Sequence, residues 1–239
     1  MASTTLDELG AAGAGDVVKQ LAFPLPFDVI SEMLGMPESD KEQIAAWSGT
    51  IVKSLDPMLA LDSFTEIRAA ADAMDAHIDE VIHWKRKNPG NDLLTALIAA
   101  EEDGDRLTPG ELRDQVSLLF IAGHETTVNL IGTGIYELLR HPEQAAIWRG
   151  DPGIDATAVD EMLRFVSPVQ FSRRITLDDI DFQGTTVPKG MFVLAGLASS
   201  NHDPKKWGPT AEDLDVRRDG SGQHLAFGSG AHYCLGASL

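Results

Sequence analysis

Apolar residues recur at helical spacing over most of the first two thirds of the chain. The helices that this pattern predicts cover residues 27–34, from 39 or 40 to about 55, 63–87, and from 91 to a charged turn at 101–106. Gly35 and Pro37 end the first helix, Ser39 or Asp40 caps the second, and Asp56-Pro57 ends it. The first fifteen residues are rich in Gly, Ala and Thr, and we expect the segment 1–20 to be partly disordered or a frayed helix.

The strongest helical signal starts at Thr108-Pro109-Gly110-Glu111, where Thr108 can cap, Pro109 suits the first helical position and Glu111 completes a capping box. No stop signal follows before Pro142, so residues 109–140 are predicted to form one helix of about 48 Å. Its middle holds the polar segment 122–127 in an otherwise apolar run. Either Gly123 permits close helix packing there and the polar residues face solvent, or the segment has a functional role.

The pattern changes after Pro168. Before it, short helices are predicted over 143–148 and 156–165, and Glu161 and Arg164 share one face of the second because they are three residues apart. After it, short runs rich in β-branched residues predict strands over 174–177, 180–182, 186–187 and 191–197. The predicted fold class is mainly α with a small β-sheet region: helical over 21–167, and a small sheet, a meander and a cysteine loop over 168–239.

Composition narrows the class of protein. The chain has 239 residues, is 43% hydrophobic and 23% charged, and carries a formal net charge of −18, which argues against nucleic acid and anionic membrane surfaces as partners. A single cysteine excludes an internal disulfide and fits a reducing compartment. There is no basic and apolar leader pattern, and His124, Glu125 and Asn129 interrupt the longest apolar stretch. We therefore expect a cytoplasmic protein without a membrane segment.

The only cysteine, Cys234, lies in the glycine-rich segment 227–236. A lone cysteine is by default a small buried hydrophobic residue, but flanking glycines allow a sharp turn and a close backbone approach to a ligand. A nucleophile elbow would need glycine where Phe227 stands, and a dinucleotide fingerprint breaks at Tyr233. A zinc site from His224, His232 and Cys234 stays open, although zinc explains neither the phenylalanine nor the glycines.

The pattern F-G-x-G-x-H-x-C-x-G over 227–236 resembles the haem-ligand loop of the cytochrome P-450 family. The resemblance implies that Cys234 is the axial ligand of the haem iron, as a thiolate. It also implies that Phe227 packs near the ligand and that His232 reaches a haem propionate. Gly228, Gly230 and Gly236 would allow the turn and the close haem approach.

A second segment, Ala122-Gly123-His124-Glu125-Thr126, resembles the family's [A/G]-G-x-[D/E]-T motif in the helix over the distal face of the haem. The resemblance implies that Ala122 and Gly123 lie beside the cofactor and that the helix opens locally at the glycine to leave room for dioxygen. Thr126 would hydrogen-bond the dioxygen, and Glu125 would help to relay protons. His124 and Thr127 are expected to be structural.

Three further sets of residues resemble the family. Glu161 and Arg164 match an E-x-x-R signature whose buried pair is joined by a downstream arginine, here Arg218, to brace the segment before the cysteine loop. Arg174, with Arg173 as second choice, matches an arginine that pairs a haem propionate. Residues 201–204, Asn-His-Asp-Pro, resemble N-R-D-P with histidine in place of arginine, and Leu214 stands where an aromatic residue is usual.

The resemblance implies a partial cytochrome P-450 fold. Family members carry a longer N-terminal part and a helix after the cysteine, so the chain is interpreted as an internal fragment or a truncated gene product. The implied parent activity is that of a haem-thiolate monooxygenase with haem b, dioxygen as co-substrate and a small organic substrate. A ferredoxin-type donor with its NAD(P)H-dependent reductase would supply electrons, and Lys205, Lys206 and Arg217 are hypothesised to guide its docking.

Two alternatives to this function remain. The chain is a non-catalytic remnant that binds no haem, or it is a peroxygenase driven by peroxide. Glu125-Thr126 disfavours the peroxygenase, because an acid beside a hydroxyl suits dioxygen activation.

Overall fold

The structure, a computed structural model, describes residues 2–37, 41–102 and 107–238. The predicted cap residues Ser39 and Asp40, and residues 103–106 of the predicted charged turn, lie outside the described residues. The chain divides into two units, Met1–Val128 and Asn129–Leu239, and each is described by itself.

The first unit is helical. Its elements are α1 (Ala2–Ala12), α2 (Pro24–Leu34), α3 (Lys41–Val52), α4 (Pro57–Asp62), α5 (Phe64–Lys87), α6 (Leu93–Glu102) and the first part of α7 (Pro109–Arg140). A π-helical turn, Val18–Ala22, precedes α2, and Gly35 ends α2 in the left-handed conformation with φ 62°. The N-terminal segment, expected to be partly disordered or a frayed helix, is helical over Ala2–Ala12.

Asp56-Pro57, which is predicted to end a helix, also begins the next helix, α4. Asp56 Oδ1 accepts hydrogen bonds from the amides of Met58 (2.8 Å) and Leu59 (3.2 Å), and Pro57 takes the first position of α4. The predicted capping box of α7 is present, since Thr108 N donates to Glu111 Oε2 (2.7 Å) and Glu111 N donates to Thr108 Oγ1 (3.3 Å). Local hydrogen bonds therefore fix where both helices begin.

The core of the first unit lies between α2, α3, α5, α6 and α7. On α7, Leu112, Val116 and Phe120 are fully buried at intervals of four residues, which is one face of a helix. They pack with apolar residues of the other helices, among them Phe27, Leu34, Ile44, Met74, Ile78 and Leu94. The next position on this face is His124, and it too is fully buried.

The second unit combines the rest of α7 with short helices and strands. Its elements are α8 (Pro142–Gly150), α9 (Asp155–Val166), β1 (Phe171–Ile175), β2 (Ile180–Phe182), β3 (Thr185–Val187), β4 (Phe192–Gly196), α10 (Leu197–Asn201) and α11 (Pro204–Trp207). A small core forms where Ala158 and Met162 of α9 pack with Leu214 and Val216. Leu214 is thus a core residue.

The predicted small sheet consists of two antiparallel pairs. β1 pairs with β4, from Phe171 opposite Gly196 to Ile175 opposite Phe192, and β2 pairs with β3. The first strand begins three residues earlier than the apolar run 174–177 predicts. It ends at Ile175 because Thr176 turns to the connection before β4, where its Oγ1 donates to the Pro188 carbonyl oxygen (2.6 Å).

Candidate functional site

The cysteine loop, residues 227–236, closes on itself through its backbone. Cys234 N donates to the Phe227 carbonyl oxygen (2.9 Å), and Tyr233 N donates to that of Gly230 (3.0 Å). Gly228 (φ 71°) and Gly230 (φ 76°) have left-handed conformations, which favour glycine. At Gly230 an added Cβ would meet no atom within 4 Å, so the backbone conformation is what favours glycine there.

The loop presents its chemical groups outward. Cys234 is exposed, and so are His232, in a short 3₁₀ turn, Gly236 and the large apolar Leu235, which is 78% exposed. The Phe227 ring packs at 5.3 Å from that of His224 (centroid to centroid). The default expectation of a buried structural cysteine therefore does not hold.

Glu161, Arg164 and Arg218 come together in a buried ion cluster. Arg164 binds Glu161 with two hydrogen bonds, Nε to Oε2 (2.7 Å) and Nη2 to Oε1 (2.8 Å). Arg218 Nε donates to Glu161 Oε1 (3.1 Å). Glu161 and Arg164 are fully buried, and a buried charge is tolerated only when it is paired and hydrogen-bonded in this way.

The two arginines of this cluster also hold the backbone of the segment before the cysteine loop. Arg164 donates to the carbonyl oxygens of Asn201 (2.6 Å), Ala211 (2.8 Å) and Asp213 (2.9 Å). Arg218 Nη2 donates to those of Thr210 (2.7 Å) and Asp213 (2.9 Å). The cluster thereby fixes the path of the chain between 201 and 218.

Arg174 lies on β1 and is exposed. Its Nη1 donates to Ser172 Oγ (2.5 Å) and to the Arg173 carbonyl oxygen (2.7 Å), so the guanidinium lies along its own strand. Arg173 is next to it on the strand and points to the opposite face. The assignment of either arginine to a propionate stays a prediction.

The segment 122–127 remains regular α-helix, so the predicted local opening at Gly123 is wrong for this structure. Thr126 Oγ1 donates to the Ala122 carbonyl oxygen (2.8 Å), one turn back, and does not open the helix. An added Cβ at Gly123 would lie 3.0 Å from Ile30 Cδ1. The glycine therefore permits the close approach of α2, as the first of the two interpretations has it, but the polar residues His124 and Glu125 do not face solvent as that interpretation expects.

His124 and Glu125 point into a poorly solvated region of the first unit. The His124 ring makes edge contacts with Phe23 (4.7 Å) and Phe27 (5.3 Å), and neither ring nitrogen has a hydrogen-bond partner among the described residues. Burial lowers the pKa of His124 to about 4, against a smaller opposing effect of the Phe23 backbone.

The carboxyl of Glu125 is only 19% exposed, with Oε1 at 3.8 Å from His124 Nδ1. Burial raises the pKa of Glu125, and the neighbouring Ser48 hydroxyl opposes the rise to a smaller extent. A carboxyl in this environment holds its proton more readily than one in water.

A family model for cytochrome P450 matches residues 18–147 and 156–239, which include the helix motif, the ion cluster and the cysteine loop. The chain belongs to the cytochrome P450 family. The matched ranges hold most of the chain, so this assignment of family does not rest on the cysteine loop alone.

Relatives in the cytochrome P450 family align along nearly all of the chain. Vitamin D(3) 25-hydroxylase of Pseudonocardia autotrophica is 42% identical over 100% of this chain and 58% of its own length. Cytochrome P450 monooxygenase PikC of Streptomyces venezuelae is 42% identical over 95% of this chain and 53% of its own. The chain thus spans between half and three fifths of the length of these relatives.

A solved cytochrome P450 confirms the mainly helical fold with its small sheet. CYP164A2 of Mycobacterium smegmatis, in the ligand-free state, matches with a TM-score of 0.91 at 38% identity, over 100% of this chain and 62% of that one.

Within the described ranges, no helix is both long and apolar enough to cross a membrane.

The cysteine loop fits the haem that membership in the cytochrome P450 family implies. A thiol at the surface of a tight glycine turn, beside an exposed leucine, offers a sulfur ligand and an apolar surface that a macrocycle would cover. The zinc alternative lacks such support: in the part of the chain that the structure describes, no three His, Cys, Asp or Glu side chains are grouped to hold a metal ion.

Sequence patterns predict no function for Asn201 or Ser167, yet the structure brings the two residues together. Asn201 begins the Asn-His-Asp-Pro segment at 201–204, and Ser167 belongs to none of the motifs. Both are fully buried and hydrogen-bonded to each other, Nδ2 to Oγ at 2.8 Å. His202, the departure from N-R-D-P, bridges the Phe165 carbonyl oxygen (3.0 Å) and Glu212 (3.1 Å).

Proposed function

We propose that the whole protein is a haem-thiolate monooxygenase that inserts one atom of dioxygen into a small organic substrate. The observation that carries the proposal is the exposed Cys234 on a closed glycine turn, in a chain that belongs to the cytochrome P450 family. Relatives named as a hydroxylase and a monooxygenase support the same class of reaction.

Cys234 would bind the haem iron, and Arg174 and His232 would bind its propionates. The haem, when bound, supplies an iron centre at which dioxygen is activated. Phe227 would pack beside the ligand, while the turn glycines Gly228, Gly230 and Gly236 let the loop backbone come close to the ring.

Glu125 and Thr126 would serve proton delivery. The carboxyl of Glu125, whose pKa burial raises, can hold a proton and pass it on, and the Thr126 hydroxyl lies next to it in the chain. In this structure that hydroxyl donates to Ala122, so it must turn from the helix to donate elsewhere. Ala122 and Gly123 would line the cofactor on the same stretch of α7.

An external donor completes the proposed reaction. Electrons would come from a ferredoxin-type protein and its NAD(P)H-dependent reductase, as the resemblance to bacterial family members implies. A reducing location such as the cytoplasm, consistent with one unpaired cysteine, belongs to the same proposal.

The test is a carbon monoxide spectrum. When the chain is supplied with haem, reduced and exposed to carbon monoxide, we expect a Soret band of the thiolate type that Cys234→Ala abolishes. Ser229→Ala, an exposed position in the same loop, should retain the band. A band that persists without Cys234 would contradict the assigned ligand, and a haem-free wild-type chain would favour the non-catalytic remnant.

A further inference from the structure

Asn201, the last residue of α10, uses its polar groups in three directions. Its main-chain carbonyl oxygen accepts from Arg164 Nη1 (2.6 Å), its Oδ1 accepts from Leu225 N (2.7 Å), and its Nδ2 donates to Ser167 Oγ (2.8 Å). A backbone amide can only donate, so the side-chain oxygen must face Leu225 and the nitrogen must face Ser167. The orientation of this buried amide is therefore fixed by its partners.

Ser167 completes the hydrogen bonds around Asn201, and it does so in a strained backbone conformation. It follows α9 with φ 45° and ψ 78°, a left-handed conformation that is uncommon outside glycine, and it is fully buried. In that conformation its Oγ accepts from Asn201 and donates to the Arg164 carbonyl oxygen (2.8 Å). The hydroxyl is thus held between the ion cluster and the asparagine.

Leu225 connects this arrangement to the cysteine loop. Its amide binds Asn201, while its carbonyl oxygen accepts from Gly228 N (2.9 Å), the residue that starts the turn. The next backbone bond, Cys234 N to the Phe227 carbonyl oxygen (2.9 Å), closes the loop around the thiol. The hydrogen bonds run without a gap from Arg164 to the loop.

We propose that Ser167 and Asn201 are positioning residues, which transmit the fixed geometry of the Glu161–Arg164 ion cluster to the loop that carries Cys234. Leu225 lies two residues before the loop, and its amide bond to Asn201 and carbonyl bond from Gly228 set where the turn begins. The inference rests on the proposed function only for what Cys234 binds.

The first test is amide hydrogen exchange on the chain without haem. Ser167→Gly removes the hydroxyl but relieves the left-handed strain, so the unit should keep its overall stability while Asn201 loses its orienting partner. We expect exchange at Leu225, Gly228 and Cys234 to rise by about tenfold, with exchange in α9 unchanged. Asn201→Leu, which leaves the Leu225 amide without an acceptor, should act in the same way and more strongly.

Ser221→Ala is the matched control, because Ser221 is also buried and also bonds to a carbonyl of α9, that of Thr157 (3.2 Å), without contacting Leu225. It should leave exchange in the loop at the wild-type rate. If Asn201→Leu does not fold, hydrogen exchange in Ser167→Gly alone tests the proposal. Unchanged exchange in the loop, or an equal rise in α9 and the loop, would overturn the proposal.

The second test follows the ligand. In the haem-loaded protein, Ser167→Gly should convert part of the reduced carbon monoxide complex from the thiolate type to the neutral-thiol type, and Ser221→Ala should not. A loosened loop with an unchanged band would refute the positioning of the ligand. If the wild-type chain takes up no haem, the result favours the non-catalytic remnant over the proposed function for this chain, whereas hydrogen exchange still decides the role of Ser167 and Asn201.

Discussion

His124 occupies a position where the helical pattern calls for an apolar side chain. It follows Leu112, Val116 and Phe120 on the buried face of α7, and aromatic edges take the place of hydrogen bonds around its ring. A neutral imidazole is tolerated there as an apolar ring, but an imidazolium would be a buried charge without an adequate partner. The residue makes the first unit sensitive to acid.

We predict that acid destabilises the chain through His124. Its pKa is 6.5 when unfolded and about 4 when folded, so between these values the unfolded state binds the proton first and stability falls as pH falls. Across that window the free energy of unfolding should drop by about 3 kcal/mol on account of this residue. Denaturant titrations at several pH values, on wild type and His124→Leu, measure the difference.

The pH dependence that is specific to His124 is the part that His124→Leu removes. His83→Leu, at an exposed position of α5, is the control for loss of a histidine and should keep the wild-type profile. Parallel profiles for wild type and His124→Leu would show that the native structure accommodates the charged ring.

The sequence predicts some residues of the site and misses others for a physical reason. Glu161 and Arg164 share a helix face by spacing alone, so their pairing follows from local geometry. Ser167 and Asn201 are 34 residues apart and meet only in the tertiary structure. A left-handed serine leaves no signal in composition or periodicity, so only the structure reveals this pair.

At the scale of elements, α7 contains two glycines in different surroundings. An added Cβ at Gly123 would meet Ile30 Cδ1 at 3.0 Å and Cγ1 at 3.2 Å, and Ile30 is buried and not free to move away. At Gly134 the nearest atom would be Met162 Sδ at 3.7 Å, an ordinary contact. The same substitution therefore has different expected effects on one helix.

We predict that Gly134→Ala raises the free energy of unfolding by up to about 1 kcal/mol, because alanine is the better helix former. Gly123→Ala should be less stable than Gly134→Ala by about 1–3 kcal/mol, because overpacking offsets that gain. Urea denaturation of both variants measures the difference. Ile30→Val should restore part of the loss in Gly123→Ala; equal stability of the two alanine variants would contradict the tight packing at Gly123.

The sequence predicts helix boundaries well at a capping box or a terminal glycine, but at Asp56-Pro57 it predicts only the end of one helix and misses the start of the next. The capping box at Thr108 fixed the start of α7, and Gly35 fixed the end of α2. Asp56-Pro57 is predicted to end a helix, yet it also places an aspartate cap before a proline at the first helical position, and so starts α4. Asp203-Pro204, for which the sequence predicts no helix boundary, starts α11 in the same way. Such a pair ends one helix and begins another.

At the scale of the whole molecule, the net charge of −18 opposes an acidic electron donor unless a local basic surface guides it. The contacts of Lys205, Lys206 and Arg217 show which of these residues can offer an unpaired positive charge to a donor. Arg217 already pairs with Asp151 (3.1 Å), and Lys206 bonds to Gln223 and lies over the Trp207 ring. Gln223 and Trp207 are uncharged, so Lys206 keeps its charge, whereas the charge of Arg217 is paired. Lys205 and Lys206, both exposed on α11, therefore remain the candidates for docking.

We predict that the double variant Lys205→Glu/Lys206→Glu slows electron transfer from a ferredoxin-type donor by about tenfold or more at low salt, because steering depends on local charge. The difference from wild type should shrink as salt screens it. Stopped-flow reduction across a range of salt concentrations measures both effects. Lys189→Glu, an exposed lysine on the turn between β3 and β4, is the charge control; an equal effect there would refute docking at α11.

The two small sheets have a consequence for the chain in solution. In the second unit as described, each sheet has only two strands, so both pairs leave backbone donors and acceptors open along their outer edges. The strands also expose Ile175, Phe182 and Phe192. Open edges with apolar side chains are templates for strands of another copy, and we expect edge-to-edge pairing to promote aggregation when this chain is concentrated.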